Sequence, residues 1–199
     1  MIASCIALVL FISLALFDTP VKAFSVNIIR SIEEIIGDTF IVKKIIGYDY
    51  NNGTFDEVNS QSDDPRIDEA NNQVSFEVLV PSYIPVDYEL YTVDVFNKVK
   101  ENESVTLLYI NTKDEHKREG FEIAIRSFPI GSEIDINYVI NDDTVIEHIV
   151  INDIDCTLLN YGDRDNELFW DMHRLSYTIG GNISKEEIIE IAKSLKPIN

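Results

Sequence analysis

From Tyr88 to Ile179 the sequence alternates between short apolar segments and turns, and this pattern restricts the possible folds more than any other feature. The segments "SVTLLYIN" and "FEIAIRSF" flank a charged turn, "TVIEHIVI" and "IDCTLLNY" flank Asn152 and Asp153, and "ELFW" and "RLSYTI" flank "DMH". Alternating apolar and polar residues are typical of half-buried strands, and a two-residue turn with positive φ closes a hairpin. The pattern therefore predicts three hairpins after a first strand at about 88–96.

A helix with a clear start signal ends the sequence. Ser184 and Glu187 have the spacing of a capping box, and Ile183 and Ile188 occupy the positions of a hydrophobic staple. The apolar face of this helix consists of Ile188, Ile191, Ala192 and Leu195. This face must pack against another element, and the predicted strands are available. We expect Trp170, the single tryptophan, to pack in the core against this helix. The predicted fold class is α+β, a curved antiparallel meander sheet of about six to eight strands covered by a C-terminal helix.

The segment "SFEVLVPSYIPVDYEL" interrupts its strand pattern with two prolines. Pro81 and Pro85 each lack a backbone donor and fix φ, so no central strand runs through them. The residue before each proline is biased towards extended geometry. We therefore expect an extended crossing segment, held in place by Tyr83, Ile84 and Tyr88, that leads into the first strand of the sheet.

The first 64 residues divide into an apolar run and a connector. Residues 2–17 carry no charge and form either a single-pass membrane anchor or the apolar part of a signal peptide cleaved near Ala23. Isoleucines at helical spacing predict an amphipathic helix over about 24–36 that ends at Gly37, and "FIVKKIIGYDY" predicts a short strand. We thus expect an anchor or signal segment at 1–23, an amphipathic helix and polar linker at 24–64, and one globular domain at 65–199.

The charge of the chain limits its partners. The sequence has 35 acidic and 16 basic residues, which gives a net charge of −19. Such a chain repels nucleic acid and anionic lipid head groups, so we expect no nucleic-acid partner. The two cysteines, Cys5 and Cys156, lie in different parts of the chain and are not expected to pair.

The sequence contains no recognisable catalytic or metal-binding motif. His116, His148 and His173 lie far apart, and no pair has the spacing of metal ligands. Cys156 lies in an apolar strand, which favours an inert buried thiol. The order Asp49, Asn51, Gly53 fails the spacing of a calcium loop, whose twelfth position would be Ser60 and not glutamate. We therefore predict a non-catalytic protein with no metal and no cofactor.

The order of these segments resembles the DUF4367 family. The resemblance rests on "FEVLVPSYIPVDYEL", the Ile151–Asp153 turn, Trp170, "YTIGGNISKEE" and "IAKSL", and it spans about 65–199. Asp87 and Asp153 stand where the family usually has glycine. The resemblance implies an extracytoplasmic domain of a membrane protein from a spore-forming Gram-positive bacterium, often part of an anti-sigma-type regulator.

Two functions follow as expectations. One is a membrane-tethered sensory or regulatory domain that binds an envelope protein, a peptide or another envelope component, with Tyr83, Tyr88 and Tyr177 as candidate binding residues. The alternative is a carrier of a lipid or another apolar ligand, similar to lipoprotein-carrier half-barrels. An apolar cavity beneath the C-terminal helix would favour the carrier, whereas a packed interface would favour the regulatory domain.

Overall fold

The computed structural model describes residues 29–47, 62–99, 102–115, 119–162, 165–172 and 174–198. Within these residues the helices are α1 (Pro65–Asn71) and α2 (Lys185–Ser194). The strands are β1 (Ile29–Ile36), β2 (Thr39–Ile46), β3 (Leu79–Pro81), β4 (Tyr88–Val99), β5 (Asn102–Asn111), β6 (Gly120–Ser127), β7 (Glu133–Val139), β8 (Val145–Ile151), β9 (Ile154–Asn160), β10 (Asp165–Met172), β11 (Leu175–Asn182) and β12 (Leu195–Pro197).

Seven strands form one antiparallel sheet in the order β4-β5-β6-β11-β10-β9-β8. The three predicted hairpins are confirmed as β5–β6, β8–β9 and β10–β11. The prediction of a simple meander is wrong, because β6 pairs with β11 and not with β8. The sheet therefore consists of two meanders, β4–β6 and β8–β11, that are joined where β6 meets β11.

Strand β7 explains this strand order. It belongs to a second sheet, in the order β1-β2-β7, where it pairs antiparallel with β2. The sequence analysis assigned no strand here, although Ile134, Ile136 and Tyr138 alternate with polar residues. The chain thus leaves the seven-stranded sheet after β6, crosses to the second sheet, and returns as β8 at the far edge.

The amphipathic helix predicted over 24–36 is wrong for residues 29–36, which form β1 and pair with β2. Isoleucine is β-branched, and segments rich in it favour strands even where the spacing also suits a helix. Gly37, interpreted as a helix end, instead lies in the hairpin turn with a φ of 63°. The strand predicted next is confirmed as β2. Residues 24–28 lie outside the described residues.

The second sheet packs on one face of the seven-stranded sheet, here called the outer face. Phe40 and Val42 of β2 form a small core with Leu159 and Phe169. Lys44 is also buried there, and its Nζ lies 2.6 Å from both Asp171 Oδ1 and Ser176 Oγ. The outer face thus carries an apolar cluster and a buried ion pair that together hold the two sheets in register.

Helix α2 covers the opposite face, here called the inner face. Its Ile188 and Ile191 are fully buried in the main core, together with Leu168 and Ile179 of the sheet. The predicted capping box is present, since the Ser184 side chain accepts from the backbone N–H of Glu187 and the Glu187 carboxylate accepts from that of Ser184. The expected burial of Trp170 in this core is confirmed.

The segments around α2 hold it in place. Strand β3 ends at Pro81, as the proline predicts, and pairs with β12 directly after the helix. The turn at Asn152 and Asp153 has φ values of 50° and 65°, as expected for a two-residue hairpin turn. Asp87 has a φ of 76°, which explains why glycine also suits this position.

The predicted anchor or signal segment at 2–17 and most of the polar linker lie outside the described residues. In the part of the chain that the structure describes, no helix is both long and apolar enough to cross a membrane. The globular part of the chain therefore consists of a seven-stranded sheet, packed on its outer face by a second sheet and on its inner face by α2.

Candidate functional site

A partly open cavity of about 440 Å³ lies between the inner face and the C-terminal end of α2. Its walls come from segments far apart in the sequence: the segment before β3, the end of β6, the β8–β9 and β10–β11 turns, and the end of α2. The lining residues are Ser75, Phe76, Glu77, Leu79, Ser127, Phe128, Ile151, Asn152, Ile154, Cys156, Trp170, Met172, Arg174, Leu175, Tyr177, Ala192, Leu195 and Pro197. Its size and its largely apolar walls are typical of a site for a small ligand.

Two stacked aromatic rings form the floor of this cavity. Trp170 on β10 and Tyr177 on β11 are directly opposite each other in the strand register. Their ring centroids lie 5.2 Å apart and their planes differ by 4°. Because side chains alternate along a strand, both point to the inner face, whereas the neighbouring Phe169 points to the outer face. The register of one hairpin thus places a flat aromatic surface under the end of α2.

The Tyr177 hydroxyl remains protonated at neutral pH. Burial raises the pKa of Tyr177 to about 12, and the nearby negative charge of Glu77 acts in the same direction. Burial also raises the pKa of the Cys156 thiol to about 11. Since the thiolate is the nucleophilic form, this cysteine is unreactive at neutral pH. The phenol and the thiol therefore act as neutral wall groups, and the phenol is a hydrogen-bond donor.

Several polar groups at the cavity are already engaged in holding its walls together. Ser75 Oγ donates to the Glu103 carboxylate at 2.6 Å, and Ser127 Oγ accepts from the backbone N–H of Glu103 at 3.0 Å. Asn152 Nδ2 donates to the backbone carbonyl of Lys193 at 3.3 Å, which links the β8–β9 turn to α2. These contacts join four of the wall segments in two pairs, the segment before β3 with the end of β6 and the β8–β9 turn with the end of α2, so hydrogen bonds of the fold hold the cavity walls in place.

Arg174 is the lining residue with an available positive charge. It is half-buried in the β10–β11 turn, and it forms no ion pair among the described residues. Several other basic side chains of the described part of the chain are paired, for example Lys44 with Asp171 and Lys185 with Glu147. A guanidinium that lines a cavity and has no ion pair in the described part of so acidic a chain is suited to bind an acidic ligand group.

The three tyrosines proposed from the sequence lie in different places, and only Tyr177 lines the cavity. Tyr83 is 41% exposed in the loop after β3, and its backbone N–H donates to Ser194 Oγ. Tyr88 is half-buried at the start of β4, where its hydroxyl donates to the backbone carbonyl of Asn182 at 3.1 Å. These two tyrosines therefore lie outside the cavity wall.

Sequence reasoning missed most of the cavity. Glu77 lies in the segment "FEVLVPSYIPVDYEL", but no pattern in the sequence links it to Arg174, which is about a hundred residues away. The alternation of β10 and β11 was a usable signal, because it places Trp170 and Tyr177 on the same face once the hairpin turn is located. The remaining wall residues meet only because α2 packs across the sheet.

A second depression, of about 370 Å³, lies on the outer face beyond the second sheet. Gly180 leaves space there between its cross-strand neighbours Glu122 and Glu167. Burial, followed by the charges of Glu122 and Asp165, raises the pKa of Glu167 to about 7. Among the described residues, no group of three or more His, Cys, Asp or Glu side chains is placed to hold a metal ion.

Comparison with known proteins gave one family. Residues 78–195 match the model of the family described as "Domain of unknown function (DUF4367)". This range is more than half of the chain and contains β4, the floor of the cavity and α2. No match to the chain was found among curated proteins or among solved structures.

Proposed function

The chain belongs to the DUF4367 family, and from this premise and the cavity on its inner face we propose that it is a non-catalytic domain that binds an apolar ligand beneath its C-terminal helix. We place the domain outside the cytoplasmic membrane, tethered through residues 2–17, where ligand occupancy acts as a regulatory signal. In the alternative arrangement, cleavage near Ala23 releases the domain and it acts as a carrier.

The observation that carries this proposal is the cavity itself. A well-packed core leaves few voids larger than a water molecule, whereas this one measures about 440 Å³. A cavity of about 150 Å³ already binds benzene, so by proportion this volume suits a ligand of roughly 18 non-hydrogen atoms. The aromatic floor and the aliphatic walls favour an apolar ligand.

A second surface supports the regulatory role. The loop between β3 and β4 exposes three large apolar side chains, Tyr83 (41%), Ile84 (38%) and Val86 (86%). Clustered exposed apolar residues are typical of contact sites. The loop is joined to the end of α2, because both Ser82 Oγ and its backbone N–H donate to the backbone carbonyl of Ser194. A partner at this loop would therefore bind to a segment that is hydrogen-bonded to the end of α2, the helix that also closes the cavity.

Binding of a neutral apolar dye tests the proposed function. The full-length chain is kept in solution with a fluorinated surfactant, whose tails do not mix with hydrocarbon, and titrated with N-phenyl-1-naphthylamine. We expect saturable binding to one site. Ala192→Leu, which fills the cavity from α2, should weaken binding at least about tenfold. The matched control is Ala124→Leu, because Ala124 lies on β6 with its side chain on the outer face.

Two outcomes would contradict the proposal: dye uptake that never saturates, or equal binding by the Ala192→Leu variant and the parent protein. The tether is tested separately by fractionating the cells that produce the chain. We expect the full-length protein in carbonate-washed membranes, or in the medium if it is cleaved near Ala23. Recovery of the full-length protein in the cytosol would show that the proposed location is wrong.

A further inference from the structure

Two donor groups on the floor of the cavity have no hydrogen-bond partner among the residues that the structure describes. Trp170 is 7% exposed and Tyr177 is 2% exposed, and neither the indole N–H nor the phenol O–H forms a hydrogen bond within the described part of the chain. Buried polar groups in native structures are almost always paired, and an exception points to an unfilled role. Both groups line the cavity. They therefore indicate that the ligand supplies a hydrogen-bond acceptor at this depth.

The charged residues of the cavity indicate the sign and size of the ligand's charge. Arg174 lines the same cavity and is unpaired among the described residues, and a guanidinium binds carboxylates with strong hydrogen bonds. Glu77 also lines the cavity. Its carboxylate repels a group with two negative charges, so a singly charged carboxylate fits better than a phosphate.

We propose that the cavity binds a single-chain acyl amphiphile with one negative charge. The acyl chain lies against the apolar walls, its amide or ester carbonyl accepts a hydrogen bond from Trp170 or Tyr177, and its terminal carboxylate pairs with Arg174. This inference rests on the proposed function, because it names the ligand class of the same cavity.

Calorimetric titration of the full-length chain in fluorinated surfactant tests the ligand class with three molecules of the same chain length. These are N-dodecanoylglycine, its methyl ester and dodecyltrimethylammonium. The first has 18 non-hydrogen atoms by its formula, about the number that the cavity volume suggests. We expect N-dodecanoylglycine to bind at least about tenfold more tightly than its ester, because only the acid forms a charged hydrogen bond with Arg174. The cationic amphiphile should bind most weakly.

Three variants and two matched controls assign the contacts. Arg174→Met should remove the preference for the acid over the ester, and Arg174→Lys should keep part of it. The matched control is Arg126→Met, because Arg126 is exposed on the outer face and its loss changes the net charge equally. Tyr177→Phe should weaken binding of both the acid and the ester. Its matched control is Tyr109→Phe, since Tyr109 is equally buried but lies outside the cavity.

The outcomes separate this inference from the proposed function. If the acid, the ester and the cation bind equally, or if Arg174→Met and Arg126→Met behave alike, the ligand class is wrong while apolar binding stands. If none of the three amphiphiles binds and the neutral dye does not bind either, both the ligand class and the proposed function are wrong.

Discussion

At the scale of single residues, Lys44 shows how one buried charge fixes the relation between the two sheets. Its side chain is 1% exposed, and Nζ lies 2.6 Å from both Asp171 Oδ1 and Ser176 Oγ. The alternation of β2 predicts which face Lys44 shares with Val42 and Ile46. The sequence does not predict its partners, because they lie more than a hundred residues away on β10 and β11.

Replacing Lys44 with methionine should destabilise the fold by about 3 kcal/mol, because it leaves the carboxylate of Asp171 without its cation between the sheets. The neighbouring Lys43→Met is the matched control. Lys43 is 43% exposed and pairs with Glu34, which is 50% exposed, so its loss should change the free energy of unfolding by less than about 1 kcal/mol. Urea unfolding of the full-length chain measures both values, and equal losses would show that the buried pair does not hold the sheets.

Glu167 gives a prediction about pH. Burial raises its pKa from 4.5 to about 7 in the folded chain. Between these values the folded state holds a proton that the unfolded state has released, so the free energy of unfolding falls as the pH rises from about 4.5 to about 7. Glu167→Gln should remove this dependence and stabilise the chain at pH 8 by about 1–2 kcal/mol.

The exposed Glu89 on β4 provides the control for this pH experiment, because Glu89→Gln makes the same chemical change away from the buried site. Thermal unfolding at a series of pH values between 4 and 8 measures the difference. A parent protein and a Glu167→Gln variant with parallel stability profiles would contradict the account of Glu167.

At the scale of elements, the sequence predicted correctly the helix cap and the hairpins, which depend on residues close together in the chain. The capping box of α2 and the three hairpins depend on contacts within a few residues, and the structure confirms them. Strand β1 was mistaken for a helix because its pairing with β2, not its apolar spacing, decides its conformation. Strand β7 was missed because its partner is distant in the sequence. The sequence alone therefore did not specify β1, whose isoleucine spacing suits both a helix and a strand, or β7, whose partner is remote.

The β8–β9 turn gives a prediction at this scale. Asp153 has a φ of 65°, a conformation that an L side chain adopts at a cost and glycine adopts freely. Asp153→Gly should therefore stabilise the chain by about 0.5–1 kcal/mol. The control is Asp142→Gly, in a turn where the residue has no positive φ. Glycine there only adds conformational freedom to the unfolded chain, so this substitution should destabilise the folded protein. Chemical denaturation of both variants checks the opposite signs, and two changes of the same sign would contradict this account.

At the scale of the whole molecule, the fold class followed from the sequence but the strand order and the cavity did not. Antiparallel hairpins and a capped terminal helix predict an α+β sheet protein, which the structure confirms. The join between β6 and β11 comes from the excursion through β7. The cavity arises where the end of α2 packs near the β8–β9 and β10–β11 turns, and no local sequence pattern predicts this packing. The site therefore depends on the complete sheet and its helix.

The central claim is that the cavity beneath α2 binds an apolar chain, and Trp170 reports on it directly. It is the single tryptophan of the sequence and lies on the cavity floor. The decisive measurement is the fluorescence of the full-length chain during titration with an acyl chain that carries bromine, a contact quencher. The account predicts saturable quenching at one site, which Ala192→Leu suppresses and Ala124→Leu leaves unchanged. Emission from Trp170 that stays constant while the brominated chain binds would contradict the claim.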